Sequence, residues 1–359
     1  MRLDLEPLTL RLRSPFQTAH GTVTERPLLQ ISLTGADGVS GHGEAAPLEP
    51  YDGIPIERVR TALERYRPAL KDAEAVSHGE TLEACRVLDD LPQALAAIDL
   101  ALWDRAGRLR GEPVAQLIAE RLTGGAGSPG PVAPLGEVLV NAVVSATDRA
   151  GAAEEAALAC SGGFTCLKLK VGVGDDGGRV AAVRAVAGPH VALRLDANGA
   201  WGVEEAVRAI GALEPAGLEL VEEPSGGLAS IREVRERVAV RIAIDETAAE
   251  PGALTAGAAD AVCLKISRCG GISGLLDAAA LVASSGAESY LASTLDGPLG
   301  VAAALHAAAA LGSRRPLPPC GLATLALFEG IDDPVPPRRG LIALPRGPGL
   351  GVEPVRSPP

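Results

Sequence analysis

The chain opens on alternating apolar and polar positions. LDLEPLTLRL (3–12), PLLQISLTG (27–35) and VSGHGEAAP (39–47) repeat with a period near two, and Gly-Ala-Asp-Gly at 35–38 supplies a hairpin turn. This pattern predicts a small antiparallel meander. The spacing then becomes helical in IERVRTALERYRPAL (56–70), ETLEACRVLDD (80–90) and PQALAAIDLALWDRAGRL (92–109). Together these predict an α+β unit over 1–122. TGGAGSPGPVAPLG, rich in Gly and Pro, reads as a linker over 123–136.

Beyond the linker, short apolar runs alternate with Ala-rich stretches such as EEAALAC and VEEAVRAIGAL. The runs are VLVNAVV (138–144), CLKLKVG (166–172), VALRLDAN (191–198), LELVEEP (218–224), RIAIDET (241–247), AVCLKIS (261–267), ESYLAST (288–294) and CGLATLALF (320–328). Their period of 20 to 26 residues is the length of a strand, a helix and two loops. Eight such units predict an α/β fold, a (β/α)8 TIM-type barrel over 137–328. A doubly wound open sheet is the alternative; its dinucleotide version is disfavoured because no GxGxxG follows the first strand. The Pro- and Gly-rich segment 329–359 is expected to pack back on the N-terminal unit, which would then cap the barrel.

Composition narrows the function. Aromatic residues make up 2% of the chain, too few for nucleic-acid stacking platforms, and the net charge of −12 argues against nucleic acid and anionic membrane as partners. The six cysteines form no CxxC pair, which points to a reducing, cytoplasmic protein without disulfides. The N-terminus carries charges where a signal peptide needs an apolar stretch, and the longest apolar run (301–312) is too short to span a bilayer.

The chemistry lies in where the charges fall. Asp196 closes VALRL, Glu222 and Glu223 close LELV, and Asp245 and Glu246 close RIAI. At the C-terminal ends of parallel barrel strands, such groups converge on one mouth. Any one of them would serve as a helix N-cap. Three together make an oxygen cage suited to Mg2+, and without a cation they would repel one another. The lysines are as telling. The chain has four, against 29 arginines, and Lys168, Lys170 and Lys265 sit inside strand-like runs. Lys, unlike Arg, can give up its proton. Barrel order places Lys, Asp, Glu, Asp and Lys on five successive strands. A substrate carboxylate on the metal would hold its α-carbon between two opposed bases, and the metal would stabilise the enediolate left by the proton. The cation and the neighbouring positive charge would lower the lysine pKa into a usable range.

KLK (168–170), DAN (196–198), VEEP (221–224), IDET (244–247) and LKISRCGG (264–271), in this order and spacing, resemble the enolase superfamily in its muconate-lactonising subgroup, within the mandelate racemase relatives. GHGEAAPLEPYDG (41–53) is similar to the capping-domain loop that closes over the substrate. The resemblance implies Asp196, Glu222 and Asp245 as ligands of Mg2+, for which Mn2+ substitutes. It implies Lys170 as a catalytic base, Lys168 as the group that tunes it, and Lys265 as the opposite base or a cation over the substrate. Asn198, Glu223 and Glu246 would support them from behind. Ser293 and Thr294 would hold a distal carboxylate, and Asp296 would anchor an ammonium or simply make a turn.

The subgroup includes o-succinylbenzoate synthases, dipeptide epimerases, N-acylamino acid racemases and cycloisomerases. GLATLALF (321–328) carries no carboxylate and is most like the synthases, whereas STLDGPLG (293–300) is nearer to epimerases and cycloisomerases. The resemblance therefore favours a lyase reaction, syn-dehydration of 2-succinyl-6-hydroxy-2,4-cyclohexadiene-1-carboxylate in menaquinone biosynthesis; an isomerase reaction is the alternative. A barrel that binds a metal–carboxylate ligand without turning it over is the reading of a different class. The partner is a small-molecule carboxylate, and a homo-oligomer is compatible with the sequence. None of the five histidines is assigned a catalytic role; His20 and His42 either touch substrate from the cap or lie at the surface.

Overall fold

The computed structural model describes residues 1–18, 21–123 and 132–356; the expected linker falls largely outside these residues, as does His20. β1 (Arg2–Thr18) and β2 (Gly21–Thr34) form a long antiparallel hairpin, and β3 (Ser40–Ala45) pairs with β2. The β1–β2 register slips between Arg11 and Phe16, an irregularity of the kind that bends a ribbon. Phe16 and Val23, beyond the slip, line the central cavity described below. A one-turn helix α1 (Glu49–Asp52) precedes α2 (Ile56–Lys71), α3 (His78–Leu88), α4 (Pro92–Arg110) and α5 (Val114–Thr123). α4 lies directly on β3. A Cβ at Gly41 would come 2.0 Å from the Ala101 carbonyl, and one at Gly43 2.0 Å from the Ala97 carbonyl, so the two glycines of GHG permit the contact.

β4 (Glu137–Leu139) leads into the barrel strands β5 (Ala142–Val144), β6 (Cys166–Lys170), β7 (Ala192–Asp196), β8 (Leu218–Glu222), β9 (Arg241–Ile244), β10 (Ala261–Leu264) and β11 (Glu288–Leu291), hydrogen-bonded in chain order. The connections after β5 to β8 carry α6 (Arg149–Ser161), α7 (Asp176–Ala187), α8 (Val203–Leu213) and α9 (Leu228–Arg237). Those after β10 and β11 carry α10 (Ile272–Ser284) and α11 (Pro298–Gly312). α11 is apolar all round and buried along most of its length against α5, α10 and β3.

Three features depart from the pattern read in the sequence. The run 138–144 splits into β4 and β5. The eighth strand, expected over 320–328, shrinks to two residues: Cys320 bridges Val140 and Gly321 bridges Ala292, which closes the barrel. The β9–β10 crossover has short 3-10 turns (Glu246–Ala249, Ala253–Thr255) in place of an α-helix, with Pro251 and Gly252 between them. This is why the spacing from Asp245 to Lys265 is the shortest of the series.

After the barrel the chain returns to the cap. β12 (Phe328–Glu329) pairs with β1, β13 (Leu341–Ala343) pairs with β4, and Gly349 and Leu350 bond to Val114 and Asp104. Among the described residues no helix is long and apolar enough to cross a membrane.

Buried polar groups join the cap to the barrel. The Arg26 guanidinium donates to the carbonyls of Leu295 (3.2 Å), Pro47 (2.6 Å) and Ala46 (3.2 Å). Glu44 Oε1 accepts from Gly297 N at 2.7 Å, while its Oε2 is buried without a hydrogen-bond partner. Burial, and then Asp296, push Glu44 up to about 8. An acid raised above its unfolded value loses its share of stability as pH climbs from about 4.3 through the folded value. The metal-free protein is therefore expected to lose this contribution to thermal stability between about pH 5 and 8. Glu44→Gln should regain on the order of 1–3 kcal/mol at pH 9 and flatten the slope. Melting temperatures of both proteins across this range check it; parallel slopes would refute the assignment.

Candidate active site

The inward faces of β6 to β10 build the site. Period-two alternation puts Cys166, Lys168 and Lys170 on one side of β6, Arg194 and Asp196 on one side of β7, and Leu220 and Glu222 on one side of β8. Asp245 follows β9 directly, and Lys265 follows β10 two residues after Cys263. The five charged groups named from barrel order thus meet at the C-terminal mouth, with Asp196, Glu222 and Asp245 at most 3% exposed.

Ammonium groups thread this carboxylate arc. Lys168 Nζ lies 2.9 Å from Asp196 Oδ2 and 2.6 Å from Glu222 Oε1. Lys170 Nζ lies 2.7 Å from the same Asp196 oxygen and 2.8 Å from Asn198 Oδ1. At the other end, Lys265 Nζ lies 2.5 Å from Asp245 Oδ2. Burial works against the charge on Asp196, but Lys168 and then Lys170 outweigh it and hold this carboxyl well below the usual range. Asp245 is also lowered, because Lys265 and Lys168 outweigh its burial. Glu222 differs: burial pushes it up to about 7, with Lys168 opposing and the two aspartates adding to the rise. The lysines respond in kind. Burial alone would lower Lys168 and Lys265, yet their carboxylate partners raise both.

The supporting groups are in place behind the arc. Glu223 has a left-handed backbone (φ 42°) and turns away from the cluster. Its carboxylate accepts from Asp245 N at 2.7 Å and from the Thr247 amide and hydroxyl, so it fixes the loop that carries Asp245. Burial and Glu246 raise it to about 8. Asn198, also left-handed (φ 46°), links Lys170 to Glu246 through a 3.0 Å bond.

The cap contributes Tyr51 from the GHGEAAPLEPYDG loop. Its hydroxyl donates to Asp245 Oδ1 (2.7 Å) and accepts from Lys265 (3.0 Å) and Arg268 (2.8 Å). The sequence marked the loop but not this reach, which depends on how the cap docks. Tyr290 was also missed. From β11 it donates to Glu222 Oε2 at 2.5 Å, and the Arg194 guanidinium lies 5.1 Å from its ring centre. The available signal was an aromatic residue at the inward parity of a barrel strand in a chain with few aromatics.

A cavity lies over the arc, walled by both domains. Lys168, Lys170, Asp196, Asn198, Asp245 and Lys265 form its charged side. Phe16, Val23, Leu48, Pro50, Leu295 and Leu327 form an apolar side. Ser293, Thr294 and Thr324 line it too, but Ser293 accepts from Asp296 N and Thr324, while Thr294 bonds Asp296 Oδ1 at 2.7 Å and Ser267 at 2.9 Å. Asp296 itself is buried below the wall, with its carboxylate spent on Thr294, and does not line the cavity. His42 lies away from it, bonded to Ser32.

Two family models cover most of the chain. The mandelate racemase/muconate lactonizing enzyme N-terminal domain matches residues 5–119, and the enolase C-terminal domain-like model matches residues 151–357. Muconate cycloisomerase 1 of Rhodococcus opacus is 31% identical over 96% of this chain and 93% of its own length. The o-succinylbenzoate synthase of Mycobacterium tuberculosis is 43% identical over 58% of this chain and 64% of its own. A crystal structure of the dipeptide epimerase from Enterococcus faecalis, complexed with Mg and the dipeptide L-Leu-L-Tyr, superposes with a TM-score of 0.84 at 26% identity, covering 97% of this chain and 98% of that one.

Proposed function

The chain belongs to the enolase superfamily, in the mandelate racemase/muconate lactonizing enzyme family, and from this premise we propose that it removes a proton α to a substrate carboxylate with Lys170 and Lys265 as opposed bases. One observation carries the proposal: the two lysines line the same cavity from opposite ends of the carboxylate arc, each on its own aspartate.

Asp196, Glu222 and Asp245 fit a divalent cation. They are three converging buried carboxylates, already sharing ammonium groups, and one of them is driven toward its neutral form by burial, with the two aspartates adding to the rise. We assign them as the Mg2+ ligands; bound there, Mg2+ would supply Lewis-acid stabilisation of the charge that develops on the substrate carboxylate. Lys168 bridges Asp196 and Glu222 and sets their spacing. Asn198 and Asp196 aim Lys170, while Tyr51 and Asp245 aim Lys265. Glu223 positions the Asp245 loop. The cap hairpin, through Phe16 and Val23, excludes water from the apolar side.

We assign the substrate to the o-succinylbenzoate synthase class. The cavity's lining carboxylates are Asp196 and Asp245, both in the cation set, and Asp296 is spent on Thr294. Among the described residues no carboxylate on that wall is left to receive a dipeptide's ammonium, whereas an apolar wall with hydroxyls suits a carboxylated ring. In this reaction one lysine takes the α-proton, and the same group, now an ammonium, returns it to the departing hydroxyl on that face, so that water leaves. Racemisation or epimerisation is a second reading, favoured by the placement of the lysines at opposite ends of the arc.

The test is loss of the cyclohexadiene ultraviolet absorbance of 2-succinyl-6-hydroxy-2,4-cyclohexadiene-1-carboxylate. We expect fast loss with Mg2+ and none with EDTA. No loss, together with deuterium uptake by dipeptides or N-acylamino acids, would replace the dehydratase with an isomerase.

A further inference from the structure

The carboxylate set has a neighbour of different chemistry. Cys263 lies on β10, two residues before Lys265, and points the same way into the barrel. Its sulfur, one oxygen of Glu222 and one oxygen of Asp245 all lie within 4.8 Å of one another. Ligands on one tetrahedral zinc are roughly 3.5 Å apart, given bond lengths of about 2.0–2.3 Å, so small side-chain shifts would bring all three onto a single ion.

The thiol also lacks an acceptor among the described residues, as does that of Cys85, but Cys85 sits in the apolar core of the cap and Cys263 beside carboxylates. It is 2% exposed and makes no hydrogen bond among the described residues. The buried thiols of Cys166 and Cys320, by contrast, donate to Glu219 Oε2 and to the Pro318 carbonyl. Cys263 packs among Leu220, Ala243, Ala261, Tyr290 and Ala292 at the floor of the barrel, yet unlike a purely apolar position it also borders the charged arc, with Asp245, Glu222, Lys265 and Lys168 close enough to act on it. It is a buried, unpartnered donor beside two carboxylates.

We infer that Glu222, Asp245 and Cys263 form a site for a thiophilic divalent cation of the zinc class, overlapping the proposed Mg2+ set through two shared carboxylates. The inference rests on the reading of Glu222 and Asp245 as cation ligands. Sulfur is a poor ligand for Mg2+ and a good one for Zn2+ or Co2+, so Cys263 adds affinity only for the softer ions. Binding exchanges the S–H proton, released to solvent, for a metal–thiolate bond. Because the two ions share ligands, they exclude one another, and zinc acts as an inhibitor.

The experiment is titration of the metal-free full-length protein with Co2+, followed by absorption. A thiolate-to-cobalt charge-transfer band in the near ultraviolet is expected, bleached by Zn2+, and absent from both Cys263→Ser and Cys263→Ala. Calorimetry should show Zn2+ affinity falling on the order of 10–100-fold in these variants, with Mg2+ affinity unchanged. No band in the parent protein would overturn the inference. So would a band that survives in the variants, since it would come from another of the six cysteines. So would equal losses of Zn2+ and Mg2+ affinity. Failure of the underlying Mg2+ reading shows separately, as absence of Mg2+ binding to the parent protein.

Discussion

Lys170→Ala is expected to lower kcat by about 10^2–10^4-fold, the range for loss of a general base, while Mg2+ affinity stays nearly unchanged. The expectation follows from what each lysine holds. Lys170 shares Asp196 Oδ2 with Lys168, so its removal leaves Asp196 still paired, at 2.9 Å. No carboxylate is orphaned, and the fold survives. Lys170→Arg separates the base from its charge. Arg keeps the positive charge but cannot give up its proton, so this variant should be as slow as the alanine. Activity in Lys170→Arg close to that of the parent would show that Lys170 acts only as a cation. Steady-state kinetics on the three proteins decide it, and retained ligand affinity without turnover in the parent would favour a binding protein.

Glu222→Gln should weaken Mg2+ binding by about 10^2–10^3-fold, the cost of losing one buried charged partner. Glu223→Gln should cost about 10-fold, because its carboxylate touches the Asp245 loop rather than the cluster. The two residues are adjacent, and the strand alternation that points one into the barrel points the other away. The left-handed backbone at Glu223 completes that turn. Isothermal titration of Mg2+ into both variants checks the order, and a larger loss in Glu223→Gln would contradict the assignment.

Much of the charged arc was legible in the sequence because its information is local. Strand parity, the period of the β/α units and the polar residue ending each apolar run depend on neighbours in the chain. The order Lys, Asp, Glu, Asp, Lys therefore survived intact into space. What was not legible depends on closure and docking. The run 320–328 looks like a strand, but only Cys320 and Gly321 find partners across the barrel gap, and Phe328 goes instead to the cap sheet. Tyr51 is far from Asp245 in sequence, so its hydrogen bond appears only once the cap is seated. Asp296 read as a possible anchor, and the local turn with Thr294 claims it.

Solvent-deuterium incorporation, followed by proton NMR in D2O with Mg2+, tests proton abstraction most directly. We would run the parent protein and Lys170→Ala side by side on the cyclohexadiene carboxylate, a dipeptide and an N-acylamino acid. The account predicts loss of the α-proton signal, by turnover or exchange, for at least one of these with the parent, and its collapse in the variant. Undiminished loss in Lys170→Ala, or an α-proton that the parent leaves untouched in all three, would contradict it.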